Sequence, residues 1–239
     1  MRGRLVLWDI DFTLLNAGGV GRVVYVSVFR DLFGRDPVAV APMAGRTERA
    51  IILETLVMSG ISDPRGQVDA FVAELVRRAP GLREEFAARG HVLPGAVAAL
   101  KAVAALGPDA AVQSVLTGNV RPVAEAKLAA FGLDGYLDLA VGAYGEEHED
   151  RAELVHLAWS RAQAGYGRDF TGRATVLVGD TPLDVAAAAD TGARSVGVAT
   201  GGSTMAELAA AGADCVLPDL TDTPAVLAAL VPPADNTPR

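Results

Sequence analysis

Five short apolar runs alternate along the chain with alanine-rich segments of helical character, and this alternation narrows the fold more than any other feature. The runs are residues 4–10, 111–116, 174–178, 195–199 and 214–217. Helix-compatible stretches cover residues 95–106, 120–131, 151–164, 182–191 and 204–211. Buried strands alternating with helices imply an α/β fold with a doubly wound, mostly parallel sheet. Thr181-Pro182 places a cap residue before a proline, and Gly132 and Gly192 close helical runs.

Residues 18–89 break this rhythm. They hold no clear strand run and read as amphipathic helices at 20–33, 48–60 and 67–79. Ala17-Gly18-Gly19 before them and Arg89-Gly90-His91 after them read as hinges. The expected organisation is a core of residues 1–17 and 90–231, an inserted α-helical cap of residues 18–89, and a flexible tail, 232–239. Gly18-Gly19-Val20-Gly21 lacks the third glycine of a nucleotide-binding loop and is read as a flexible linker.

With 239 residues, 51% of them apolar, the chain has material for a substantial core. A net charge of −8 argues against nonspecific nucleic-acid binding, which draws on basic surface, but not against a small phosphorylated ligand held locally. Cys215 is the sole cysteine, so no internal disulfide can form and a cytoplasmic setting is expected. Asp9 and Asp11 interrupt the first apolar run too early for a signal peptide, and no run is long enough to span a membrane.

Residues 5–15, LVLWDIDFTLL, pose the functional question of why two acids stand in an otherwise apolar stretch. Alternate strand residues share a side, so Asp9 and Asp11 point together beyond the strand's carboxyl end, where open α/β sheets bind ligands. Two later strands end in Leu116-Thr117-Gly118-Asn119 and Val178-Gly179-Asp180-Thr181-Pro182-Leu183-Asp184. Singly, each piece has a plainer use: turn acids, helix caps at Thr117 or Asn119, or a capping box from Thr181 to Asp184. Together they set four carboxylates and a hydroxyl on one edge, and such acids repel unless a cation joins them. Mg²⁺, which takes a few carboxylates plus substrate phosphate, meets that need.

In order along the chain, Asp9-Ile10-Asp11-Phe12-Thr13-Leu14 and the two later strand ends resemble the motifs of the haloacid dehalogenase-like hydrolase superfamily. More narrowly, the chain looks like a phosphoglycolate phosphatase-type member with a helical cap. The resemblance implies a Rossmann-like core and Mg²⁺-dependent hydrolysis of a small phosphorylated metabolite by a monomer or homodimer. By position, Asp9 becomes the nucleophile that forms an aspartyl-phosphate, and Asp11 the acid and then the base. Thr117, Gly118 and Asn119 would bind the phosphoryl group. Asp9, the Asp11 carbonyl and Asp180 would ligate the metal, with Asp184 ordering its waters.

The same resemblance directs Arg46, in Gly45-Arg46-Thr47, toward the substrate. A lysine expected before a later helix is missing. Arg151 stands there, and neither Lys101 nor Lys127 fits that place. Phe12 occupies a position where many relatives carry glycine. A phosphosugar mutase of the same superfamily and a noncatalytic phospho-acceptor or binding module are the alternatives. Asp11 disfavours a dehalogenase, and the absence of lysine from residues 18–89 disfavours a Schiff-base phosphonate hydrolase.

Overall fold

The computed structural model describes residues 3–231, so the expected tail, 232–239, lies outside the described residues. Five strands form one parallel sheet: β1 (Arg4–Trp8), β4 (Ala111–Val115), β5 (Thr175–Gly179), β6 (Arg194–Val198) and β7 (Cys215–Leu217). Their spatial order is β4-β1-β5-β6-β7, every pairing parallel. Trp8 aligns with Val115 on one side and Val178 on the other. The residues following these three therefore leave the sheet at one level.

Alternation along β1 sends side chains into two cores. Val6 and Trp8 join an apolar cluster with α5 (Ala96–Ala105), α6 (Arg121–Ala130) and α10 (Thr223–Leu230). Leu5 and Leu7 pack on the opposite face with α7 (Arg151–Tyr166) and α8 (Pro182–Thr191). The sheet is thus doubly wound, as expected. The short α9 (Met205–Ala210) connects β6 to β7.

Between β1 and β4 lies a helical region resembling a cap: α1 (Val20–Phe33), α2 (Glu48–Met58), α3 (Pro64–Arg78) and α4 (Arg83–Arg89). The expected linker, residues 18–21, is a turn at Gly18 and Gly19 followed by the start of α1, and just before that linker lies a two-stranded antiparallel ribbon. In it β2 (Leu15–Asn16) pairs with β3 (His91–Val92), which ties both ends of the helical region together. Gly18 and Gly19 adopt positive φ there, and a Cβ on Gly18 would lie 2.3 Å from the Arg89 carbonyl oxygen. The glycines serve a tight crossing at this point.

The helical region also meets the core at the sheet edge. The Glu48 amide donates to the Gly118 carbonyl at 2.8 Å, the Arg49 amide to Gly145 at 3.2 Å, and the Thr47 hydroxyl to Glu149 at 2.8 Å. A Cβ on Gly118 would stand 1.9 Å from the Arg46 carbonyl oxygen, a backbone atom that cannot swing aside. Gly118→Ala is therefore expected to push α2 off the core. Such overpacking costs about 1–3 kcal/mol and would read as a Tm loss of several degrees. An unchanged Tm would show that this approach tolerates a methyl group.

Candidate active site

Asp9 follows the last residue of β1, and its amide is held by the Val178 carbonyl at 2.8 Å. Asp180 follows β5, and Asp184 occupies the first turn of α8. Asp184 closes a capping box with Thr181 while sharing a carboxylate cluster with Asp9 and Asp180. One ligand atom from each of these three buried acids lies within 4.8 Å of the others. The plain capping use of Asp184 and its place in the cluster therefore coexist.

Arg151, at the start of α7, enters this cluster. Its Nη2 donates to Asp9 Oδ1 at 3.0 Å and to the Leu116 carbonyl at 3.0 Å, and pairs with Asp184 Oδ1 at 2.6 Å. Burial raises the Asp9 carboxyl well above the ordinary aspartate range; Arg151 opposes this, while Asp184 and Asp180 add to it. Burial, reinforced by Asp184, likewise pushes Asp180 up to about 7. Three carboxylates face one guanidinium, so two negative charges stay uncompensated when all are ionised. That donor set is all oxygen, crowded and doubly negative, and it fits a divalent hard cation.

Beside it, Asp11 belongs to a second network. Both its oxygens accept from Lys127 Nζ, at 2.7 and 2.6 Å, and Asn119 Nδ2 donates to its Oδ2 at 2.7 Å. Lys127 also donates to Asn119 Oδ1 at 2.7 Å. Thr117 Oγ1 accepts from the Asn119 amide and from Asn119 Nδ2, at 3.2 and 2.8 Å. With both bonds accepted, the Thr117 hydroxyl keeps its own proton to donate.

Thus Asp9, Asp180, Asp184 and Arg151 come together, and Asp11, Thr117 and Asn119 stand alongside. Gly118 spends its carbonyl on the Glu48 amide. Arg46 lines the same cavity but pairs with Glu54 at 2.5 Å and donates to the Pro42 carbonyl at 3.2 Å, away from the acids. Lys127 lies outside the expected motif place in the sequence, yet the structure brings it to Asp11. Its signal is a lone lysine on the buried stripe Val123, Ala124, Lys127, Leu128 of α6.

A cavity of about 220 Å³ leads from Asp9 and Asp180 between the core and the helical region. Phe12, Val24, Ile51, Leu75 and Phe86 give it an apolar wall. Glu48, the first residue of α2, also lines it and is only 6% exposed. Burial pushes the Glu48 carboxyl up to about 8, against the opposing pull of Lys127. Phe12 adopts φ of 59°, a left-handed conformation that glycine reaches freely and phenylalanine at a cost of about 1–2 kcal/mol. Its carbonyl accepts from Thr200 Oγ1 at 2.6 Å, which helps hold that turn.

The parallel-sheet core with its cap-like helices is a fold shared by many solved structures. The family described as haloacid dehalogenase-like hydrolase matches residues 6–189. A Dickeya dadantii (strain 3937) protein named Probable phosphatase IndB is 30% identical over 217 residues, covering 87% of this chain and 86% of that protein. A hydrolase from Pseudomonas syringae superposes with a TM-score of 0.66 at 19% identity, covering 95% of this chain and 98% of its own. A structure described as a predicted phosphoglycolate phosphatase, from Haemophilus somnus 129pt, gives 0.60 at 16% identity, covering 95% and 98%. At these identities the two structures speak for the fold alone. The chain belongs to the haloacid dehalogenase-like hydrolase family. No helix among the described residues is long and apolar enough to cross a membrane.

Proposed function

We propose that this hydrolase is a Mg²⁺-dependent phosphatase that cleaves a small phosphomonoester through an aspartyl-phosphate on Asp9. The observation that supports this most is the placement of Asp9: buried at the sheet edge, its Oδ1 held by Arg151, and flanked by Asp180 and Asp184. Oδ2 accepts no hydrogen bond from the described residues and is left as the attacking atom. Asp9, the Asp11 carbonyl and Asp180 would hold Mg²⁺, with Asp184 ordering its waters; the bound cation would offset the carboxylates and the phosphate charge.

Asp9 Oδ2 forms a bond to phosphorus as the ester P–O bond breaks, and Asp11, which has to enter this step carrying a proton, gives it to the departing alkoxide. Water then attacks the phosphorus, Asp11 removes its proton, and the P–O bond to Asp9 breaks to regenerate the carboxylate. Two easier displacements replace one difficult one. Thr117 donates its free proton to a phosphoryl oxygen, in a position fixed by Asn119. Lys127 and Asn119 together set the Asp11 carboxyl group in place for both proton transfers. The fold of the relatives and the cap-like helices support an enzyme with core 1–17 and 90–231 and cap 18–89. The lone cysteine and acidic charge suit a cytoplasmic setting.

The test is phosphate release, with and without Mg²⁺, from a chromogenic phosphate ester and a panel containing 2-phosphoglycolate, sugar phosphates and nucleotides. Release confined to Mg²⁺-containing reactions is the expected result. Phosphoryl migration without release would point to a mutase, and no turnover of any ester would sink the reading. Within this scheme Lys127→Met is expected to lower kcat about 10²-fold with KM little changed, because an unanchored Asp11 loses its alignment. Unchanged kcat would remove Lys127 from the mechanism.

A further inference from the structure

Lys127 carries three N–H groups, and Asp11 Oδ1, Asp11 Oδ2 and Asn119 Oδ1 use all three. None remains for Glu48, which is buried in the same cavity outside the Asp9–Asp180–Asp184 cluster. The Tyr25 hydroxyl faces the Glu48 carboxylate and favours its ionised form. The pair falls short of full hydrogen-bond geometry, however, and that hydroxyl is otherwise unpartnered. Among the described residues, no side chain forms an ion pair with Glu48. A buried carboxylate without a full complement of donors is costly. Val24, Ile51, Leu75 and Phe86 give the same cavity an apolar wall, with Arg22 and Arg46 also lining it.

We infer that Glu48 is a specificity-determining residue, and that the preferred substrate is a phosphomonoester whose alcohol portion has an apolar body ending in a hydrogen-bond donor aimed at the Glu48 carboxylate. The inference rests on the phosphatase reading for the phosphate end and on Glu48 and its apolar surroundings for the other. A donor of this kind is an ammonium, a ring or amide N–H, or a hydroxyl. A Glu48 oxygen accepts the donor's hydrogen bond, and the apolar wall covers the carbon frame between donor and phosphate.

The inference is tested with n-alkyl phosphates of several chain lengths and their ω-hydroxy and ω-amino counterparts. Turnover is compared between wild type, Glu48→Gln and Glu48→Ala, and binding of the matching phosphonates is measured by calorimetry. In the wild type the best donor-bearing ester is expected to exceed its plain counterpart in kcat/KM by about tenfold or more, the usual worth of a charged hydrogen bond. Glu48→Ala is expected to reduce that ratio to within about twofold, while Glu48→Gln, which keeps an acceptor oxygen, is expected to flatten the amino series and to retain part of the hydroxy preference. A ratio is insensitive to partial loss of folded protein. Equal donor preference in wild type and both variants, or a wild-type preference for plain alkyl esters, would overturn the assignment. If the esters are not hydrolysed but the phosphonates bind with the expected preference, the phosphatase reading fails and the Glu48 assignment stands. Hydrolysis without donor preference keeps the phosphatase reading and overturns the Glu48 assignment, as does phosphonate binding without that preference.

Discussion

Asp9→Asn is expected to abolish Mg²⁺-dependent ester hydrolysis, by on the order of 10⁴-fold or more in kcat, as is usual when a covalent nucleophile is lost. The amide is nearly isosteric with the carboxylate, and its oxygen can still accept from Arg151 Nη2, the bond now made to Oδ1 at 3.0 Å. Packing around β1 is therefore expected to survive. Removing one charge leaves two acids against one guanidinium in the cluster, so Mg²⁺ should raise Tm less in the variant than in wild type. The measurements are phosphate release at saturating substrate and Tm across a Mg²⁺ titration. Wild-type turnover in the variant would remove Asp9 from the nucleophilic role.

The parts of this site that are legible in the sequence share a physical reason: they lie where strands end. Asp9, Thr117 and Asp180 follow apolar runs whose burial on both faces fixes both the strand and its exit point. The strand bounds differ by a residue or two from expectation, which leaves the exits in place. What the sequence hides depends on rotation and packing rather than on pattern. Lys127 reaches Asp11 only because α6 turns that face inward, and Glu48 looks in sequence like an ordinary acid at a helix start. The β2–β3 ribbon has two residues per strand, too few for any periodicity to register. Phe12 stands out in the sequence, and its positive φ accounts for the glycine expected there. Arg46 lies beside the cavity, while its guanidinium pairs with Glu54 of α2, a partner that no motif in the sequence announces.

Arg151→Met and Arg151→Lys are expected to part sharply, and the reason lies in a single nitrogen. Asp9 Oδ1, Asp184 Oδ1 and the Leu116 carbonyl all converge on Arg151 Nη2, which has two protons for three acceptors. Arg151 Nε, meanwhile, is buried with no acceptor. Three acceptors around one nitrogen suit an ammonium better than a guanidinium, so Arg151→Lys is expected to keep kcat within about tenfold of wild type. Arg151→Met removes the charge from a buried group, which costs about 3–5 kcal/mol, and should lower kcat about 10²–10³-fold. The stability defect has a pH signature. Arg151 is what holds the Asp9 carboxyl down against burial, so its loss raises that carboxyl further. An acid whose folded-state pKa is raised contributes stability below its unfolded value, near 4, and loses it as pH climbs through the folded value. In chelator, the Met variant should therefore approach wild-type Tm near pH 4 and fall well below it by pH 8. Asp180, raised to about 7, would act in the same sense. Excess Mg²⁺ at pH 8 should recover part of the loss, because a divalent cation answers the same excess of negative charge. A Met variant with wild-type kcat, or a Lys variant no better than Met, would show that charge at this nitrogen does not govern the site.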